Sequence, residues 1–216
     1  MKYKKISQIL NLIIFICVLI ASILMFTGIR FMDDEQLLET SGISLLKFFT
    51  VDSNILMGIT SLLLIIYSKK TSKWLELLNL CATTGVSLTF FTVIFYLAPF
   101  SQYSYFAFFK NSNLFFHLIV PILSIINYIF YSSSKSLNIK DSFYGLIPML
   151  LYSVYYVSNA FLNMSKGRII AKYDWYGFFA NGVASIIFTI IFMLLSTYLI
   201  SFLLIYFNKK QKYSNK

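Results

Sequence analysis

The chain has 216 residues, of which 58% are hydrophobic and 12% are charged. A soluble domain needs a largely polar exterior, so this composition excludes an ordinary soluble protein and indicates a membrane protein. The formal net charge of +10 would suit a protein that binds nucleic acid. The basic residues lie in short clusters between long apolar segments instead of along one face, however, and this pattern argues against nucleic acid as a partner.

Six apolar segments follow one another along the chain. Each is about as long as the roughly 20 helical residues that cross a hydrocarbon layer of about 30 Å. The segments are continuous rather than alternating, which favours helices over a barrel because hydrocarbon leaves no external partner for a backbone amide. We therefore predict an all-α, six-helix transmembrane bundle that forms a single domain over residues 1–216. The predicted spans lie near residues 6–29, 45–67, 74–98, 114–131, 143–162 and 176–207.

The basic residues predict how this bundle is oriented. Twelve of the eighteen lie at the amino terminus, in the second and fourth connections and in the tail, and six lie in the other three connections. Connections rich in Lys and Arg stay in the cytoplasm, so both termini are expected to be cytoplasmic. The predominance of Lys over Arg is typical of proteins from AT-rich bacterial genomes. We expect a multi-pass protein of a bacterial inner or plasma membrane.

Cofactor-binding patterns are missing from the sequence. Cys17 and Cys81 lie in separate apolar segments without a CxxC or Cys/His pattern, and His117 is the one histidine. A structural or catalytic zinc site needs several nitrogen, sulfur or carboxylate ligands close together. We predict neither a disulfide nor a metal site, and no other cofactor.

The second span opens with the segment FFTVDSNIL at residues 48–56, which carries four polar side chains within five residues. Thr50, Ser53 and Asn54 are three or four residues apart and therefore share one face of a helix. A polar group in hydrocarbon costs several kcal/mol unless it has a partner. This face is expected to look into a polar cavity near the outer leaflet.

Other polar side chains fall at a similar predicted depth in the later spans. His117 lies about one helical turn inside the outer end of the fourth span, and Tyr173 and Asp174 lie at the mouth of the sixth. We predict that Thr50 and His117 form a reactive pair in a shared cavity. The other residues predicted to line it are Ser53, Asn54, Asn159, Tyr173, Asp174 and Asn181.

These residue types favour acyl transfer. A threonine hydroxyl becomes a good nucleophile when a base takes its proton, and imidazole, with a reference pKa of about 6.5, is the usual base. The sequence contains neither a GxSxG nucleophile motif nor a glycine-rich phosphate loop. Asn54, Asn159 or Asn181 could stabilise the oxyanion, and the sequence leaves that choice open. The structural alternatives are a Thr50 hydroxyl bonded to its own helix and a His117 that only joins two helices.

Three motifs resemble those of a known family: FFTVDSNIL, HLIVP at residues 117–121 and YDWYGF at residues 173–178. They look like motifs of prokaryotic six-transmembrane proteins. Those proteins are similar to the eukaryotic androgen-induced and androgen-dependent TFPI-regulating membrane proteins, which are threonine hydrolases of fatty acid esters of hydroxy fatty acids. The resemblance implies Thr50 as nucleophile and His117 as base. It also implies hydrolysis of a lipidic small-molecule ester among membrane lipids.

A binding or transport protein is the runner-up. The six-span subunit that captures substrate for a vitamin importer normally has a small-xxx-small motif in its first helix, whereas here Ala21 is followed four residues later by Met25. A purely structural bundle is the third alternative, and it predicts that the outer polar residues do not converge. The sequence does not specify the oligomeric state.

Overall fold

The computed structural model describes residues 2–32, 42–69, 72–165, 168–179 and 182–214. Within these ranges, six helices are long and apolar enough to cross a membrane, so the chain is a helical, multi-pass membrane protein. A short antiparallel hairpin joins the last two of them and pairs Met164–Ser165 with Arg168–Ile169. The helices are α1 (Lys2–Thr27), α2 (Phe49–Ile66), α3 (Lys73–Phe100), α4 (Ser112–Tyr131), α5 (Ile139–Leu162) and α6 (Val183–Ser214).

Three of these helices are not regular throughout. The chain widens into π-helical turns at Val93–Leu97 in α3 and at Phe115–Ile119 and Asn127–Tyr131 in α4. The first part of α5, Ile139–Leu146, is a 3₁₀-helix. π-Helical turns occur frequently at functional sites because they displace side chains from the regular helical register. His117 lies in the middle of one of them.

The last helix starts later than its apolar segment predicts. The predicted span began near residue 176, whereas α6 begins at Val183. Gly177 and Gly182 have φ angles of +69° and +84°, in the left-handed region that favours glycine and interrupts a right-handed helix. The Asp174 carboxylate accepts a hydrogen bond from the Phe179 N–H at 3.1 Å, which closes a turn. Residues 173–179 therefore form a loop, which we call the aromatic loop.

The two ends of the described chain lie at the same end of the bundle. The Tyr3 ring, near the start of α1, is 6.1 Å from the Tyr131 ring at the end of α4. The Ser134 hydroxyl, just after α4, donates a hydrogen bond to Asn208 near the end of α6. We call this end the tail end, and we call the opposite end, which carries Thr50, the site end.

Helix α3 is the central helix. Every residue from Asn79 to Thr89 is buried, as expected for a helix with neighbours on all sides. A core cluster around Val86 joins α3 to α1, α2 and α4, and a second cluster around Leu88 joins it to α5, α6 and the aromatic loop. The close approach of α2 depends on Gly85, because a Cβ there would lie 3.2 Å from the Ser53 Cβ. These contacts place the start of α2 between the two halves of the bundle.

Candidate active site

A cavity of about 550 Å³ lies between α2, α3, α5, α6 and the aromatic loop at the site end. Most of its lining consists of Phe, Leu, Met, Ile and Val side chains. Its volume falls within the range of about 300 to 1,000 Å³ that is typical of small-molecule sites. The cavity therefore suits an apolar ligand that carries a polar group. The lining residues that carry a hydroxyl group are Thr50, Thr89, Thr92, Tyr96, Tyr152, Tyr176, Thr189 and Ser196.

Thr50 lies in the first turn of α2 and contributes to the cavity wall. The preceding Phe48 is extended, with φ −96° and ψ 128°, and no side chain of its own caps the helix. The Phe49 N–H instead donates to the Tyr176 hydroxyl at 3.1 Å. The first turn of a helix carries partial positive charge. Thr50 thus lines the cavity at a place where backbone dipoles favour developing negative charge.

Asn54 joins the helix segments that carry Thr50 and His117. Its side chain is completely buried, and its amide nitrogen donates to the Thr50 carbonyl at 2.8 Å and to the Phe116 carbonyl at 3.2 Å. Phe116 immediately precedes His117. Because both carbonyl oxygens bond to the same nitrogen atom, they lie close together. Both amide hydrogens are engaged, so Asn54 has none left for an oxyanion.

His117 is oriented by the connection between α3 and α4. Its Nδ1 lies 2.7 Å from the Phe108 carbonyl oxygen. A carbonyl can only accept, so Nδ1 carries the proton and Nε2 of the neutral ring holds a lone pair. Within the described ranges, Nε2 has no hydrogen-bond partner. This is the tautomer that a general base needs.

The cavity lining does not include His117. The imidazole is on α4. The adjacent Phe116 packs in one core cluster with Val51, a residue in the first turn of α2 that does not line the cavity. No hydrogen bond between Thr50 and His117 is present among the described residues. Thr50 therefore lies at the cavity. His117 lies on the segment of α4 that Asn54 connects to Thr50 by hydrogen bonds.

Ser53 is buried between α2 and α3. Its hydroxyl lies 3.2 Å from the Thr89 hydroxyl and donates to the Thr50 carbonyl at 3.2 Å. Ser53 itself does not line the cavity, whereas Thr89 does. This contact holds the cavity wall together.

Tyr173 and Asp174 shape the aromatic loop and do not line the cavity. The Asp174 carboxylate accepts hydrogen bonds from the Tyr156 hydroxyl and, at 3.1 Å, from the Phe179 N–H. The Tyr173 ring lies 5.7 Å from the Lys172 ammonium group. Of the two, Asp174 holds the fold of the loop beside the cavity.

Two tyrosines of the cavity carry contacts that the sequence did not indicate. The Tyr152 hydroxyl, from α5, donates to the Lys47 carbonyl at 2.6 Å and accepts from the Trp175 indole at 3.0 Å. Tyr176 belongs to the predicted mouth of the sixth span, but its contact with Phe49 depends on the folded loop. Burial raises the pKa of Tyr176 to about 12, so this phenol stays protonated at neutral pH. In the sequence, the four-residue spacing of Tyr152 and Tyr156 was the one feature that indicated a tyrosine face on this helix.

The remaining predicted residues do not reach this cavity. Asn159, near the end of α5, accepts two hydrogen bonds from the Asn163 amide, at 2.8 Å through its carbonyl and at 3.3 Å through its side chain. Asn181 lies outside the described residues.

Comparison with known protein families, with curated proteins and with solved structures found no match to this chain.

Proposed function

We propose that this protein is an intramembrane hydrolase of lipidic, fatty-acid-type esters, with Thr50 as the nucleophile and His117 as the base. The observation that carries the proposal is the buried Asn54 amide, which bonds both to Thr50 and to the residue before His117. It keeps the two reactive side chains on adjoining turns of different helices. The apolar cavity beside Thr50 supports an acyl chain as the ligand. The resemblance to the prokaryotic six-transmembrane proteins supports the same activity.

The reaction divides into two acyl-transfer steps. His117 Nε2 takes the Thr50 proton while Oγ attacks the ester carbonyl carbon, and the carbonyl electron pair moves onto its oxygen. When the carbonyl reforms, the ester C–O bond breaks and the alcohol leaves with the proton from His117. Water then attacks the acyl-threonine while His117 takes its proton, the bond between the acyl carbon and Thr50 Oγ breaks, and the proton passes from His117 to Thr50 as the acid is released. Each step needs the Thr50 hydroxyl or the water within about 2.6 to 3.2 Å of Nε2 in the substrate complex.

The charges of the chain support an orientation for this reaction. The tail end carries the two ends of the described chain and the Lys-rich connections, and basic connections favour the cytoplasmic side, so in this proposal the tail end lies in the cytoplasm. The site end then faces the outside of a bacterial inner or plasma membrane. A lipidic substrate would enter the cavity sideways from the outer leaflet.

A fluorophosphonate probe tests the nucleophile in membranes. We expect Thr50→Ala and His117→Ala each to lower labelling by at least about 10³-fold, because each removes a partner of the attacking group. Thr92→Ala is the matched control, since Thr92 also lines the cavity but lies on α3. It should be labelled like the wild type. Equal labelling of all four proteins would remove the hydrolase proposal.

Ligand binding without chemistry is the second candidate function, and it is favoured by the position of His117 outside the cavity lining. The test is the lipid that co-purifies with detergent-extracted protein. Met193→Trp should fill the cavity and displace that lipid, whereas Ile191→Trp, on the exposed side of α6, should not. A lipid that depends on Met193, together with an unlabelled wild type, would favour the binding function.

A further inference from the structure

The Tyr176 hydroxyl lies next to the helix turn that presents Thr50. Tyr176 and Thr50 both line the cavity. The phenol oxygen accepts a hydrogen bond at 3.1 Å from the N–H of Phe49, the residue immediately before Thr50. The phenol is thereby attached to the start of α2, beside the proposed nucleophile.

The O–H of Tyr176 can donate a hydrogen bond to a ligand. In its bond with Phe49 the Tyr176 oxygen is the acceptor, so its O–H still has to donate. The neighbouring Tyr152 hydroxyl donates to the Lys47 carbonyl at 2.6 Å and accepts from the Trp175 indole at 3.0 Å, and it also shares a side-chain hydrogen bond with Tyr176. Because the Tyr152 proton is engaged with Lys47, Tyr176 is the donor in this shared bond, and a ligand carbonyl in the cavity can replace the Tyr152 oxygen as its acceptor.

Aromatic packing holds the Tyr176 ring in place before any ligand arrives. The ring centroid lies 6.0 Å from that of Phe48 and 6.3 Å from that of Tyr152, both edge-on, and the Phe178 ring stacks on it at 5.2 Å. A donor that is already oriented stabilises a developing charge without reorganisation during the reaction. The raised pKa of Tyr176 keeps this donor protonated at neutral pH.

We propose that Tyr176 is a further catalytic residue, whose hydroxyl donates a hydrogen bond to the ester carbonyl oxygen and stabilises the oxyanion. This inference rests on the proposed hydrolase function. As the bond between Thr50 Oγ and the carbonyl carbon forms, the carbonyl electron pair moves onto the oxygen and the threonine proton goes to His117. Tyr176 keeps its own proton throughout. It takes the role that Asn54 cannot play, because both Asn54 amide hydrogens are engaged.

Tyr176→Phe tests this role with the smallest change in shape. The assay follows hydrolysis of p-nitrophenyl laurate by the purified full-length protein in detergent micelles. We expect kcat to fall on the order of 10²-fold, the usual effect of losing one oxyanion donor. KM should stay within about twofold, because this bond strengthens mainly in the transition state. Tyr173→Phe is the matched control, since it removes a hydroxyl from the same loop but not from the cavity, and it should behave like the wild type.

Two further variants separate the outcomes. Tyr152→Phe breaks the contact between the cavity wall and Lys47 without removing the proposed donor. An equal fall in kcat for Tyr152→Phe and Tyr176→Phe would attribute the loss to loop packing and overturn the inference. Wild-type kcat in Tyr176→Phe, with turnover abolished in Thr50→Ala, would overturn the role of Tyr176 and leave the hydrolase intact. Equal rates for the wild type and Thr50→Ala would overturn both proposals.

Discussion

The two ends of the bundle use polar side chains differently. At the tail end, the buried Glu76 carboxylate accepts hydrogen bonds from the Ser133 hydroxyl at 2.9 Å and from the Ser136 N–H at 3.0 Å, both in the connection after α4. At the site end, Thr50 and Tyr176 line a cavity. The tail-end groups close a connection onto the helix bundle, whereas the site-end groups are accessible to a ligand.

The tail end also shows how a membrane helix bundle satisfies its backbone. Asn208, on α6, donates to the carbonyls of Tyr128, Ile129 and Ser132 where α4 ends. Helix ends leave carbonyl groups without intrahelical partners, and an unpaired group is costly in an apolar environment. A polar residue in a span therefore does not by itself mark a site. A structural polar residue bonds to other groups of the protein, whereas a residue of a site lines a cavity that a ligand can enter.

The largest expected effect on stability comes from Glu76→Ala at the tail end. The change removes the acceptor of two hydrogen bonds, from the Ser133 hydroxyl and from the Ser136 N–H, and a hydrogen bond to a charged group contributes about 1.5 to 3 kcal/mol. We expect the free energy of unfolding to fall by about 3 kcal/mol. Thermal unfolding in detergent should show a melting temperature lower by about 10 °C. Glu76→Gln, which keeps an acceptor oxygen, should lose less, and an unchanged melting temperature in Glu76→Ala would remove the contrast between the two ends.

Gly145→Ala is expected to destabilise the packing of α5 on α6. An added Cβ would lie 2.2 Å from the Ser201 Oγ and 2.5 Å from its Cβ, and such overpacking costs about 1 to 3 kcal/mol. The melting temperature should fall accordingly, and adding Ser201→Gly should restore most of the loss. Leu151→Ala, on the exposed side of α5, is the control and should change stability by no more than about 0.5 kcal/mol. A Gly145→Ala protein as stable as the wild type would show that these helices separate easily.

Tyr156→Phe should loosen the aromatic loop at the site end. The change removes the hydrogen bond to Asp174 and is expected to cost about 1 to 2 kcal/mol, because the acceptor is a carboxylate. Trypsin should then cleave after Lys172 faster than in the wild type. Tyr155→Phe alters an exposed neighbour on the same helix and should leave the cleavage rate unchanged. Equal cleavage of all three proteins would mean that the loop does not depend on Asp174.

Thr50→Ala should have the smallest effect on stability. Since Thr50 lines a cavity and no hydrogen bond of its side chain is found among the described residues, we expect the free energy of unfolding to change by no more than about 0.5 kcal/mol, although labelling is lost. Thermal unfolding and probe labelling of the same preparation check both parts. A Thr50→Ala protein as unstable as Glu76→Ala would make Thr50 a structural residue and end the comparison.

Thr50, Ser53 and Asn54 show where sequence reasoning stops at the candidate site. Helical spacing groups them on one side of α2, but their side chains meet different neighbours: the cavity, Thr89 on α3 and Phe116 on α4. The spacing is a local property of one helix. The identity of the helix opposite each side chain depends on how all six pack.

The sequence by itself determined that this chain crosses a membrane as helices, because hydrocarbon thickness and backbone hydrogen bonding act on each apolar segment separately. Only the tertiary structure decided which hydroxyls reach the cavity, that Tyr152 and Tyr176 meet the start of α2, and that His117 is held by Phe108. It also decided that α6 begins at Val183, after Gly177 and Gly182, whose positive φ angles interrupt a right-handed helix. Contacts between distant segments depend on the packing of whole helices, which no local pattern of residues specifies.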